Sequence, residues 1–157
     1  MTEVLVFGSG DCGQLGLGEE TWEASKPIAN PFFADKNIIQ VAAGGLHSLA
    51  LDANGRVWSW GCNDEKALGH LAPEFSVGQV EGLPTDIIQI ACGDSISAAL
   101  SKDGSVWTWG TFRDSKGLLG HSPIMEGDYQ ERPCKLEALQ KETVVQLSAG
   151  ANHLMAV

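Results

Sequence analysis

The sequence predicts an all-β fold, a β-propeller of four-stranded blades, and three observations carry that prediction. The first is an internal repeat: FGSGDCGQLG at 7–16, WGCNDEKALG at 60–69 and WGTFRDSKGLLG at 109–120 align on Gly8, Gly61 and Gly110, which lie 53 and 49 residues apart. The second is an independent landmark in the same order. IIQVAAGGLHSLAL at 38–51, IIQIACGDSISAAL at 87–100 and VVQLSAGANHLMAV at 144–157 bring Gln40, Gln89 and Gln146 into correspondence, and likewise Gly44, Gly93 and Gly150. The third is the content of one unit, which holds about four short strand patterns in roughly fifty residues, the signature of a propeller blade. A plain sandwich does not account for a period of that length.

The elements of a unit follow in order. VLVFG, IIQVAAG, HSLAL and RVWSWG are apolar, β-branched runs of strand length. Val57-Trp58-Ser59-Trp60 and Val106-Trp107-Thr108-Trp109 alternate with the period of two expected of a half-buried strand. Asn54-Gly55 and Asp103-Gly104 stand between strand runs and predict tight hairpins. The paired tryptophans read as blade-to-blade packing, whereas Trp22 falls outside the repeat. No segment holds a helical period. The units run over about 4–56, 57–105 and 106–157. Val157 falls within the strand after Gly150, ahead of the hairpin turn found there in the earlier units. Three units do not close a propeller, so either the sequence is a piece of a longer protein, which is expected, or several copies associate to cover the open edges.

Ten basic and twenty acidic residues give a net charge of −10. Such a chain repels phosphate backbones, so direct DNA binding is disfavoured and a basic partner surface is favoured. Cys12, Cys62, Cys92 and Cys134 form no C-x-x-C pair, and the four histidines are equally scattered. Metal-knuckle spacing is therefore absent, and reduced thiols are expected. No apolar run has the length of a membrane span, and no nucleophile–base–orienter set stands at useful spacing. No cofactor or catalytic residue is assigned. Gly8-Ser9-Gly10-Asp11-Cys12-Gly13 matches the dinucleotide fingerprint G-x-G-x-x-G after a strand, but QLGLGEE follows where a phosphate-binding helix is required.

The third turn differs from the first two. Eight residues separate Gly8 from Gly16 and Gly61 from Gly69, but ten separate Gly110 from Gly120. The extra length falls in Phe112-Arg113-Asp114-Ser115-Lys116-Gly117, a charged insertion on a rigid scaffold and hence a candidate binding loop.

The repeat pattern, aromatic-Gly through Leu-Gly and then Gly-x-x-His, resembles the regulator of chromosome condensation repeat family over essentially all 157 residues. FRDSKGLLG at 112–120 looks like the β-wedge with which the family's exchange factors contact the GTPase Ran. GQLGLGEE and GCNDEKALG look like their first two blades. The resemblance implies a seven-bladed propeller, of which about three blades are present. It also implies guanine nucleotide exchange on Ran, a nuclear location, and histone or chromatin contacts in the whole protein. It places Ran contacts at Asp11, Asp94, Phe112, Arg113, Asp114, Ser115, Lys116, Gly117, Asn152 and His153. Asn152 stands where the exchange factors have an aspartate, and Ile96 where the repeat has a histidine. The 157 residues hold no basic tail of the kind used on chromatin. The alternative is a non-catalytic interaction module on the same propeller, which does not need the long third turn to touch Ran.

Overall fold

A computed structural model describes residues 3–73, 75–115, 117–118 and 129–157, with only the backbone described for Asp114 and Leu118. Its strands are β1 (Leu5–Ser9), β2 (Glu23–Ala29), β3 (Ile38–Ala43), β4 (His47–Asp52), β5 (Val57–Gly61), β6 (Gly78–Gln79), β7 (Ile87–Cys92), β8 (Ile96–Ser101), β9 (Val106–Gly110), β10 (Arg113–Asp114), β11 (Gly117–Leu118), β12 (Gln130–Lys135), β13 (Leu147–Gly150) and β14 (His153–Ala156). The helical elements among the described residues are two short 3₁₀ turns, Pro31–Phe33 and Glu137–Leu139. No described helix is long and apolar enough to cross a membrane.

The strands form antiparallel sheets that repeat along the chain. β3-β4-β5-β6 and β12-β9-β8-β7 are four-stranded, and β1-β2 and β13-β14 are pairs. The expected all-β architecture of four-stranded blades is what the chain adopts. Each four-stranded sheet straddles two of the spaced sequence units, because β3 and β4 precede the Trp-Gly landmark and β5 and β6 include or follow it. The Asn54-Gly55 and Asp103-Gly104 hairpins form as expected, joining β4 to β5 and β8 to β9. Carboxylates brace both turns. Asp52 Oδ1 accepts from the amides of Asn54 (2.8 Å) and Arg56 (3.1 Å), and Asp103 Oδ1 accepts from Ser101 Oγ (2.6 Å) and the Ser105 amide (2.9 Å).

The core lies in the seams between sheets. Val4, Phe33, Ile38, Ala50 and Trp60 fill the first seam. Leu49, Leu51, Val57, Val80, Ile87, Ile90, Ala99 and Trp109 fill the second, between the two four-stranded sheets. Ala91, Ala98, Leu100, Val106, Val144 and Leu147 fill the third. The alternation in β5 and β9 is thus only partly a half-buried pattern. Ser59 and Thr108 are buried as well as Trp60 and Trp109, because a stacked blade has a neighbour on each side. Ser59 answers that burial by donating its hydroxyl to the Leu68 carbonyl at 2.6 Å.

Polar side chains stitch the same seams at a fixed offset. Gln40 Nε2 donates to the Ile90 carbonyl at 2.9 Å, and its Oε1 accepts from the Ile90 amide at 2.9 Å. Gln89 repeats the arrangement on Leu147, with both bonds at 2.8 Å. One side-chain amide thus satisfies a donor and an acceptor on the innermost strand of the next sheet. Gln89→Leu strips both partners from Leu147 at a half-buried seam. The expected cost is about 2–3 kcal/mol by the penalty for unpaired backbone groups, measurable as a lower midpoint in urea at an unchanged slope.

Candidate functional site

Two classes of turn emerge at one end of the sheets. The tight β3–β4, β7–β8 and β13–β14 turns carry Asp94, Asn152 and His153, and the longer turns after β1, β5 and β9 carry Asp11 and the third-turn insertion. Hydrogen bonds join the two classes. The Cys62 amide donates to the Leu46 carbonyl and the Thr111 amide to the Ser95 carbonyl, each at 2.8 Å. Successive tight turns are also linked, with the Gly45 amide on the Gly93 carbonyl (3.3 Å) and the Asp94 amide on the Ala151 carbonyl (2.9 Å). The residues singled out in the sequence and described here therefore share one face. Lys116 lies outside the described residues, as do Leu119 and Gly120.

The first long turn ends the dinucleotide reading, because β2 rather than a helix follows Gly8–Gly13. The fold shapes this turn from the next sheet. Trp60 Nε1 donates to the Gln14 carbonyl at 2.8 Å, and Trp109 Nε1 makes the equivalent bond to the Ala67 carbonyl at 2.7 Å. Each indole lies over the turn's closing glycine. A Cβ on Gly69 would meet Trp109 Nε1 at 3.0 Å, and its φ of 67° is itself a glycine conformation. Asp11 is exposed, and Ser9 Oγ (2.7 Å) and Gln14 Nε2 (3.1 Å) donate to its Oδ1. Those bonds, led by that of Ser9, hold its carboxyl below the usual range. Asp64 occupies the same place in the second turn. Asp11, Cys12, Cys62, Asp64, Lys66 and Phe75 line a cleft of about 500 Å³ between the two turns. The repeat alignment at 53 residues was the signal for Asp64, which motif reading had passed over.

The third turn begins as a small hairpin in which Arg113 pairs with Leu118 and Asp114 with Gly117. Ser115 at its tip is exposed, and Phe112 and Arg113 are half-buried. The Arg113 guanidinium is ion-paired with Glu65 of the second turn. Arg113 thereby holds the Glu65 carboxyl below its usual range, and the carboxylate in turn raises the guanidinium. Nothing in the sequence pairs two residues 48 apart, so Glu65 was invisible there.

Asp94 is exposed and sits above His47, the repeat histidine of the preceding sheet. His47 Nε2 lies 2.9 Å from Ser97 Oγ, whose own proton goes to the Ala67 carbonyl at 2.8 Å. The imidazole therefore donates, which fixes the Nε2–H tautomer. Burial presses its pKa down to about 4, against the opposing pull of the Asp94 backbone and charge. The folded pKa is below the unfolded one, so the unfolded chain binds the extra proton and stability falls as pH falls from about 6.5 to about 4. At ~1.36 kcal/mol per pKa unit the loss approaches about 3 kcal/mol. Thermal midpoints measured from pH 7 to pH 4 are expected to fall less steeply for His47→Gln than for the unaltered chain. His153, the corresponding residue in the third unit, is exposed beside the exposed Asn152.

A family profile described as the RCC1-like domain matches residues 3–157. The chain belongs to the RCC1-like domain family. Among relatives of this RCC1-like chain, the regulator of chromosome condensation of Mus musculus is 41% identical over 156 residues, covering 97% of this chain and 35% of the relative. That of Xenopus laevis is 38% identical over 157 residues, covering 98% and 35%. The chain thus spans about a third of the length of these relatives. Yeast RCC1 (Prp20), solved bound to Kap60, superposes with a TM-score of 0.90 at 34% identity, covering 99% of this chain and 38% of that one. A second structure, of Prp20p from Saccharomyces cerevisiae, a protein characterised for binding Gsp1p and histones, gives 0.88 at 34% identity and covers 99% and 39%. The fold is accordingly an RCC1-type β-propeller in part.

Proposed function

We propose that this chain carries part of the Ran-facing surface of a guanine nucleotide exchange factor. The observation that carries the reading is the third-turn hairpin, two residues longer than its counterparts, on the same face as the exposed carboxylates of Asp11 and Asp94. No covalent bond need be made or broken. A surface that binds the nucleotide-free GTPase more tightly than the loaded one must, by linkage, weaken the nucleotide's hold by the same factor. A hairpin pressed near the phosphate-binding loop disturbs its contacts, and carboxylates compete with phosphate for the GTPase's lysine or Mg²⁺. Asn152 and His153 extend the surface along the tight turns. Kinship with regulators of chromosome condensation supports a nuclear setting for this reading, with histones or chromatin as further partners of the whole protein.

The test follows release of fluorescent GDP from purified Ran with and without the chain, with folding checked by circular dichroism. Acceleration supports the reading, and a folded chain without effect on release goes against exchange by this part of the propeller. The neutral amide of Asn152, which cannot hold a cation as a carboxylate does, favours a second reading, a binding module without exchange. Capture of nucleotide-free Ran at an unchanged release rate is its signature.

A further inference from the structure

The third turn is fastened to the second by alternating charges. On the strand that opens the hairpin, Arg113 is ion-paired with Glu65, and two residues earlier Thr111 Oγ1 donates to the Glu65 carbonyl at 2.8 Å. After it, Glu131 on β12 lies 3.8 Å from Lys66 Nζ, the residue next to Glu65. One residue further on, Arg132 meets Glu81 at 3.1 Å across the same seam. The segment leaving β9 and the segment entering β12 are thus each tied to the second turn by neighbouring side chains of opposite sign.

Two further observations show that these ties are built in. Glu65 Oε2 is shut off from water without a hydrogen-bond partner, on a side chain that is otherwise about a third exposed, and the Arg113 guanidinium supplies the opposing charge. Lys66 holds a φ of 60°, left-handed for a residue with a side chain, at the place where the first turn has Gly13 with a φ of 76°. The left-handed backbone recurs at this place in both turns, and here the lysine side chain reaches the strand that returns from the insertion.

We propose that Glu65 and Arg113 form an internal clasp that sets the base of the third turn, and that Arg113 is a positioning residue rather than a contact with the partner. The functional half of this inference rests on the exchange reading, whereas the clasp is testable without any GTPase. A charge swap separates the two roles. A guanidinium that serves only the clasp works from either side of the seam, but one that touches the partner does not.

The experiment uses the whole 157-residue chain as Arg113→Glu, Glu65→Arg with Arg113→Glu, and Glu65→Gln. Hydrogen–deuterium exchange is followed in peptides covering Thr111–Ser115, beside the GDP-release assay. Arg113→Glu is expected to speed amide exchange there about tenfold and to slow GDP release by a similar factor, and the swap to return both to within about twofold. Glu65→Gln, which alters least, is expected to speed the same amides about threefold with an unmoved thermal midpoint. It decides the clasp if the swap fails to fold. Amide exchange unmoved by Glu65→Gln, or unrestored by a folded swap, overturns the clasp. Amide exchange restored while GDP release stays slow overturns the positioning role and makes Arg113 a partner contact. If the unaltered chain does not accelerate release, the exchange reading fails, and amide exchange still decides the clasp.

Discussion

Trp109→Ala is expected to cost about 3–5 kcal/mol, the range for emptying a large aromatic from a closed core. Trp109 is fully buried in the second seam, among Leu49, Leu51, Val57, Val80, Ile87, Ile90 and Ala99. Its atoms touch both four-stranded sheets, so truncation opens the interface that joins them. The cavity is flanked by strands whose positions are fixed by ladders on both sides, which leaves little room to relax. The indole also donates to the Ala67 carbonyl, so its loss loosens the turn that carries Glu65 and Lys66. Against a domain stability of about 5–15 kcal/mol, this is a large fraction. A thermal melt followed by circular dichroism is expected to fall by at least about 10 °C. Trp109→Phe keeps most of the ring and loses the N–H bond, at about 1–2 kcal/mol. Equal losses for the two variants would place the energy in the hydrogen bond rather than in the packing.

Replacing residues 112–117 with a short Gly-Ser turn is expected to abolish any acceleration of GDP release from Ran while the fold persists. No described residue of the insertion belongs to the three apolar seams, so its removal is expected to leave the core intact. What it removes is the partner-facing hairpin, together with the Arg113 end of an ion pair. The pair is half-exposed on the Arg113 side, and such pairs contribute about 0–1 kcal/mol. A thermal midpoint within a few degrees of the parent, with release at the rate of Ran alone, is the expected result. Unchanged acceleration would remove the hairpin from the mechanism and leave the carboxylates of the tight and long turns to account for it.

How much of this was legible in the sequence depended on whether the signal was local. The hairpins at Asn54-Gly55 and Asp103-Gly104 were, because a short turn closed by glycine declares itself through its own conformational preferences. So was the fifty-residue period, because Gln40, Gln89 and Gln146 had no reason to recur unless each did the same job. That job, pairing with the backbone of the next sheet, could not be read, since its partners Ile90 and Leu147 are ordinary strand residues. The burial of Ser59 and Thr108 was missed for a related reason. Alternation reports one covered face, and a stacked sheet has two. The site divides in the same way. The longer third turn stood out by its length, and Asp11 and Asp94 through the family resemblance, but the engagement of Arg113 by Glu65 is a contact between separate units, for which a lone sequence holds no code.

The glutamine seam has a consequence for how such a molecule can change its size. Gln40 and Gln89 recognise only a peptide group, the one feature every residue possesses. The joint between neighbouring sheets therefore carries no address, and a unit duplicated, deleted or shuffled in the gene arrives with a connector that fits whatever stands beside it. Individuality is left to the turns at one end, where a two-residue insertion can be tried without renegotiating the scaffold.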